Sequence, residues 1–213
     1  MDVRSKPRRA AARTQREIAQ AALRLIDQSG LGQFSMRKLG TSLGIDPMTV
    51  YRRFDDQEDL FDEVAVEMFR GVPLTGLPWD EPWPEFLRQY GIALHDTLLE
   101  HPKALPLYAV RPVRSAEAVG WTTRALLKMV EEGVTTTTAF QILLCVNEHV
   151  IGHAVARSAD LTASDRSKRP DEGSTDFNII AATAAKTPPG AHFELGLTAL
   201  INGLRDAAPH RTQ

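Results

Sequence analysis

The sequence predicts an all-α fold, and three observations carry that expectation. Apolar residues recur at helical spacing through most of its 213 positions. Ser, Thr, Asp and Gly stand where helices would start and stop. No segment shows the alternation of a half-buried strand, and no internal repeat is present. A chain of this length buries a core without disulfides or a structural metal. Its composition, 43% hydrophobic and 24% charged, is ordinary for a globular domain.

Residues 1–13 read as a disordered basic tail. Thr14-Gln-Arg-Glu17 is a capping box, and Ile18, Ala22, Leu25 and Ile26 form the apolar stripe of the helix it opens. Gly30 and Gly32 end that helix. Ser35 caps a second helix, Met36 to Leu43, stopped by Gly44. Asp46-Pro47 opens a third, Pro47 to Arg53, with Asp as cap and Pro at the first helical position. Asp55-Asp-Gln-Glu58 starts a connecting helix over 55–70. Five Gly and Pro residues mark 71–82 as a linker. A larger helical domain follows over 83–207, with helices at 83–100, 103–109, 115–132, 137–159 and 192–207. Residues 160–175 read as a mobile loop, 176–186 as a short helix and 208–213 as a tail.

The charge is uneven. Residues 1–54 hold 11 Lys/Arg against 4 Asp/Glu, and the remainder holds 14 against 23. A basic head on an acidic body suits a polyanionic partner for the head alone. Within that head, 35–53 reads as a helix-turn-helix turning at Gly44-Ile45. Its second helix would lay a narrow face in the major groove of double-stranded DNA. Pro47, Met48, Thr49 and Arg52 form that face, with Thr49 suited to a base edge and Arg52 or Arg53 to guanine or phosphate. The Tyr51 hydroxyl and Ser35, Arg37 and Lys38 suit backbone phosphate. Val50 and Phe54 would face the core.

Residues 14–70 resemble the DNA-binding domain of tetracycline-repressor (TetR) family regulators. The resemblance rests on Ile18 through Leu25, Phe34-Ser-Met-Arg-Lys-Leu39, Leu43-Gly-Ile45 and Thr49-Val-Tyr-Arg-Arg-Phe54. Glu81-Pro-Trp83, Phe86-Leu-Arg88, Arg111-Pro112 and His149-Val-Ile-Gly-His153 resemble the ligand-binding domain of the tetracycline repressors. The resemblance implies a homodimer packed through its C-terminal helices, an inverted-repeat operator, and a small-molecule effector that controls DNA affinity. It implies no enzymatic activity and no cofactor.

Two departures accompany the resemblance. The family's phosphate-gripping lysine at the start of the fourth helix aligns with Gln57, which follows Asp55 and Asp56. The family's metal-binding histidine and carboxylate align with Leu107 and Ala156, and two drug-contacting positions with Tyr90 and Leu94. Arg111 and Pro112 remain as matches. The expected effector is therefore apolar or aromatic, and not tetracycline–magnesium. Tyr90, Leu94, Leu107, Trp121 and His149 would line its pocket, with Arg111, Tyr90, His149 or Glu148 orienting it.

His149 and His153 share a helix face, but Glu148 precedes the pair and no third ligand is evident, so no metal is expected. There is no G-x-S-x-G, no phosphate-binding glycine loop and no C-x-x-C. Cys145 has no activating base. The lone cysteine suits a reducing, cytoplasmic setting. Neither a secretory leader nor a membrane span is expected. The rival readings are a small all-α enzyme with a His/Glu site in its C-terminal domain, and a protein-binding module with a basic head.

Overall fold

The structure is a computed structural model describing residues 13–111, 113–162, 175–188 and 190–208. The basic tail therefore lies outside the described residues, apart from Arg13. Among the described residues ten α-helices run in order: α1 (Gln15–Ser29), α2 (Met36–Leu43), α3 (Pro47–Tyr51), α4 (Gln57–Arg70), α5 (Trp83–Glu100), α6 (Leu105–Val110), α7 (Ala116–Glu131), α8 (Thr136–Thr162), α9 (Thr175–Ala184) and α10 (Ala191–Ala207). No β-strand occurs among the described residues.

The head is built on side-chain caps. Thr14 accepts from the Glu17 backbone N–H, and Glu17 accepts from the Thr14 N–H at 2.8 Å, which holds the Glu17 carboxyl below its usual pKa. Ser35 accepts from the Lys38 N–H, Asp46 from Met48 and Asp56 from Asp59. Each cap satisfies a donor that the first helical turn leaves unpaired. Gly44 ends α2 in the left-handed region at φ 64°. The third helix stops at Tyr51, two residues before the sequence expectation, because Arg53 N–H turns back to the Val50 carbonyl.

A single hydrophobic cluster joins head and body, running from Ile18 and Ile26 in α1 through Leu60 and Met68 in α4 to Phe86, Leu94, Val146 and Leu197. α5 and α8 form the centre, with α10 against both and α6 and α7 against α8. α8 is long and apolar enough over Thr136–Ser158 to cross a membrane by composition alone. Here four other helices pack on it, which explains why its apolar residues do not keep to one stripe. It also runs on to Thr162, into the stretch expected to be loop; residues 163–174 of that stretch are not described.

The 71–82 connection is stapled to the body. Val72 and Leu77 are buried, Trp79 packs on Phe86 with centroids 4.4 Å apart, and Lys128 Nζ donates to the Trp79 carbonyl. Arg124 lies 3.8 Å over the Trp79 ring. Glu132 then accepts from the Trp83 N–H, so a carboxylate from the end of α7 closes the start of α5.

Candidate nucleic-acid interface and cavity

The head presents one polar, basic face. Met48 is 60% exposed, and Tyr51, Arg52 and Arg53 are exposed beside it. Thr49 and Pro47 are half-buried on the same short helix, while Val50 and Phe54 are buried in the core. The structure thus separates the inward from the outward positions of α3. Arg37 is exposed at the start of α2. The Lys38 ammonium donates to the Gln33 carbonyl at 2.7 Å, and the Ser35 hydroxyl is engaged as a cap, so both are tied to the protein's own backbone. Gln15, which the sequence did not single out, donates to the Arg53 carbonyl at 2.6 Å and fixes the end of α3 against α1.

Gln57 is exposed as the first residue of α4. Of the preceding acidic pair, the Asp56 carboxylate has a structural role. Asp56 caps α4, and the Asp55 N–H donates to the Asp59 carboxylate.

Behind the head, a cavity of about 500 Å³ lies among α4, α5, α6, α7 and α8. Three of the expected lining residues stand on its wall: Tyr90, Trp121 and Arg111. Tyr90 and Trp121 stack with centroids 4.0 Å apart, and Phe69 meets Trp121 edge-on. The Tyr90 hydroxyl donates to Asn147 Oδ1 at 2.9 Å, and burial pushes its phenol well above the ordinary pKa. Asn147 was missed from the sequence.

The other expected lining residues lie elsewhere. Leu94 and Leu107 are buried in the core and absent from the wall. Glu148 is exposed, and His149 packs on Phe193 and against Gly196 of α10. The reason is helical geometry: residues 140, 143, 144, 147 and 151 of α8 face the cavity, and positions 148 and 149 are rotated off that face. Pro112 lies outside the described residues.

Arg111 occupies a junction. It stands on the cavity wall, yet its guanidinium pairs with Asp62 at 2.5 Å and with Glu58, both on α4. It also lies 5.7 Å over Phe61. Burial opposes its charge, and these two carboxylates more than offset that, raising its pKa. A second set of ion pairs ties α1, α4 and α7. Glu67 is buried, accepts from Gln20, and pairs with Arg16 and Arg70; Arg70 also reaches Glu63 and Glu117. At the far end of α1, His101 Nδ1 meets Asp27 at 2.8 Å.

His153 does not pair with His149 as a metal site would require. Its ring nitrogens reach His95 of α5 and His192 of α10, each at 2.8 Å. The three imidazoles are linked in a line, and two of them, His95 and His153, border a second cleft of about 650 Å³. Among the described residues no group of side chains converges to hold a metal ion.

The family signature "Bacterial regulatory proteins, tetR family" matches residues 18–64, and "Tetracyclin repressor-like, C-terminal domain" matches 75–208. The class D tetracycline repressor of Escherichia coli is 28% identical over 202 residues, covering 90% of this chain and 89% of that protein. An HTH-type transcriptional regulator of Saccharopolyspora erythraea is 26% identical over 206 residues, covering 92% and 86%. A TetR from Acinetobacter baumannii, solved with minocycline, superposes with a TM-score of 0.77 at 20% identity, covering 94% and 97%. The two signatures take in both the reading head and the body that holds the cavity, and the chain belongs to the TetR family of DNA-binding transcriptional regulators.

Proposed function

We propose that this protein is a dimeric repressor that leaves an inverted-repeat operator when a small, largely apolar or aromatic molecule enters the cavity behind α4. The observation that carries the reading is the position of Arg111, shared between the cavity wall and two carboxylates of α4. A molecule that draws Arg111 away weakens the hold of the body on α4. α4 starts at the end of the reading head, so its displacement alters the spacing of two heads in a dimer. Only a molecule that binds the displaced state better has this effect.

α3 reads bases through Thr49 and Met48, with Arg52, Arg53, Tyr51 and Arg37 on phosphates or guanine. Lys38, Ser35, Pro47 and Gln57 flank that contact. Dimerisation through α8 and α10 is supported by exposed apolar side chains on both, Val155 and Leu195, the latter 72% exposed. The effector is not a metal-chelated drug of the tetracycline type. The described lining carries no His, Asp, Glu or Cys to hold a metal.

The test is selection of the purified protein against random duplex DNA, followed by sequencing of the bound pool. An inverted repeat with half-sites about one helical turn apart, ~34–36 Å, is expected. A pool without an enriched sequence at low and moderate salt overturns the reading.

A further inference from the structure

α3 is too short to hold its own direction. Its five residues make little more than one turn, and the carbonyls at the end of a helix find no donor within it. The Asp46 cap sets its start, and the buried Val50 seats its middle. Its end is where Arg52 and Arg53 leave for solvent. There Gln15 Nε2 donates to the Arg53 carbonyl at 2.6 Å, across 38 residues of sequence.

Gln15 is itself mounted on a fixed frame. It is the first residue of α1 and lies inside the Thr14–Glu17 capping box. Arg16 pairs with the buried Glu67 of α4, and Gln20 donates to the same carboxylate. Ile18 and Ala19 between them are fully buried. The start of α1 is thus tied to α4, and the Gln15 amide is a strut from that frame to the end of α3.

The kind of side chain narrows what the strut does. Gln15 is exposed, so a cation of the same reach would add attraction to any phosphate chain. A neutral amide adds no such attraction. It supplies one directed bond to one carbonyl. Bidentate pairing of an arginine with guanine depends on the direction of approach, whereas attraction to phosphate depends on charge.

We propose that Gln15 is a positioning residue for base reading: its bond to the Arg53 carbonyl sets the direction from which Arg52 and Arg53 approach DNA. It governs the choice of sequence and leaves the general attraction to DNA unchanged. The proposal rests on the reading of α3 given above and adds to it a residue outside the helix-turn-helix.

Gln15→Met keeps the length of the side chain and removes the donor. The full chain, native and variant, is titrated on the selected operator, on its single-base-pair variants and on a scrambled duplex, at several salt concentrations. Gln15→Met should lower operator affinity about threefold to tenfold, the range of one hydrogen bond. The loss should fall at the base pairs that Arg52→Ala and Arg53→Ala also relax. Affinity for the scrambled duplex and the salt slope should match the native chain. In a chain carrying both Arg52→Ala and Arg53→Ala, Gln15→Met should have no further effect on base choice, because no side chain is left to aim.

An unchanged ratio of operator to scrambled affinity in Gln15→Met overturns the proposal. An equal loss on every duplex does so as well, because direction then plays no part. A loss of base choice that persists in full without the two arginines also overturns it, since Gln15 then acts on DNA independently of them. Selection of no operator by the native chain refutes the reading of α3 and this proposal with it; the other three outcomes refute this proposal alone.

Discussion

Replacing His153 by Gln should make the fold less sensitive to acid, and the size of the effect follows from the imidazole line. In its neutral form His153 has one N–H and one lone pair, which suits a partner on each side. It meets His95 at one nitrogen and His192 at the other, both at 2.8 Å. Burial first, then the neighbouring imidazoles His95, His192 and His149 and the Arg157 charge, lower its pKa to about 4. His95 is lowered as well, by burial that outweighs the pull of Asp96. A folded pKa below the unfolded value of 6.5 means that the unfolded chain takes up the proton first. Stability is then complete above about pH 6.5 and is lost as pH falls toward about 4. At about 1.4 kcal/mol per pH unit the ceiling for His153 is roughly 3 kcal/mol. Partial exposure to water reduces this to about 1–2 kcal/mol. Urea denaturation followed by circular dichroism, at fixed protein concentration and a series of pH values, measures it. The native chain should lose more stability than His153→Gln as the pH is lowered from neutral through that window. Parallel stability curves for the two proteins would refute the assignment.

Three other perturbations address the reading head. Thr49→Ala should cost about 1–3 kcal/mol at the selected operator and relax base choice there, whereas Arg37→Ala should weaken all duplexes and flatten the salt slope by about one. Titrations on operator and scrambled duplexes at several salt concentrations check both, and a uniform loss for Thr49→Ala on every sequence contradicts base reading. Gly40→Ala puts a methyl 3.1 Å from the Ile45 carbonyl and from Pro47, both at the corner where α3 begins. Overpacking of this kind costs about 1–3 kcal/mol, so the melting temperature should fall and operator affinity with it. An unchanged melting temperature and affinity would show that α2 and α3 have room to part.

What was legible in the sequence is what is local in space. The caps at Thr14, Ser35 and Asp46 each act on a backbone N–H two or three residues away, so residue type and spacing reveal them. The role of Asp56 is of the same kind, and it turns an apparent electrostatic liability near DNA into the start of α4. The inward positions Val50 and Phe54 follow from helical phase within a few residues. The cavity obeys no such rule. Tyr90 and Asn147 are 57 residues apart, Arg111 and Asp62 are 49, and His95 and His153 are 58. Phase fails on α8 for a physical reason. A stripe marks a buried face only where the opposite face is polar, and α8 is packed by α5, α6, α7 and α10. Between Asn147 and His149 nothing in the apolar pattern says which faces the cavity. Two residues turn the helix by about 200°, so His149 faces the seam against α10 while Asn147 faces the cavity. The residue on which the proposed release rests was legible as a motif but not as a junction. Arg111 stands in the sequence as half of an Arg-Pro pair, and only the approach of α4 shows that one guanidinium serves both the cavity and the helix above it.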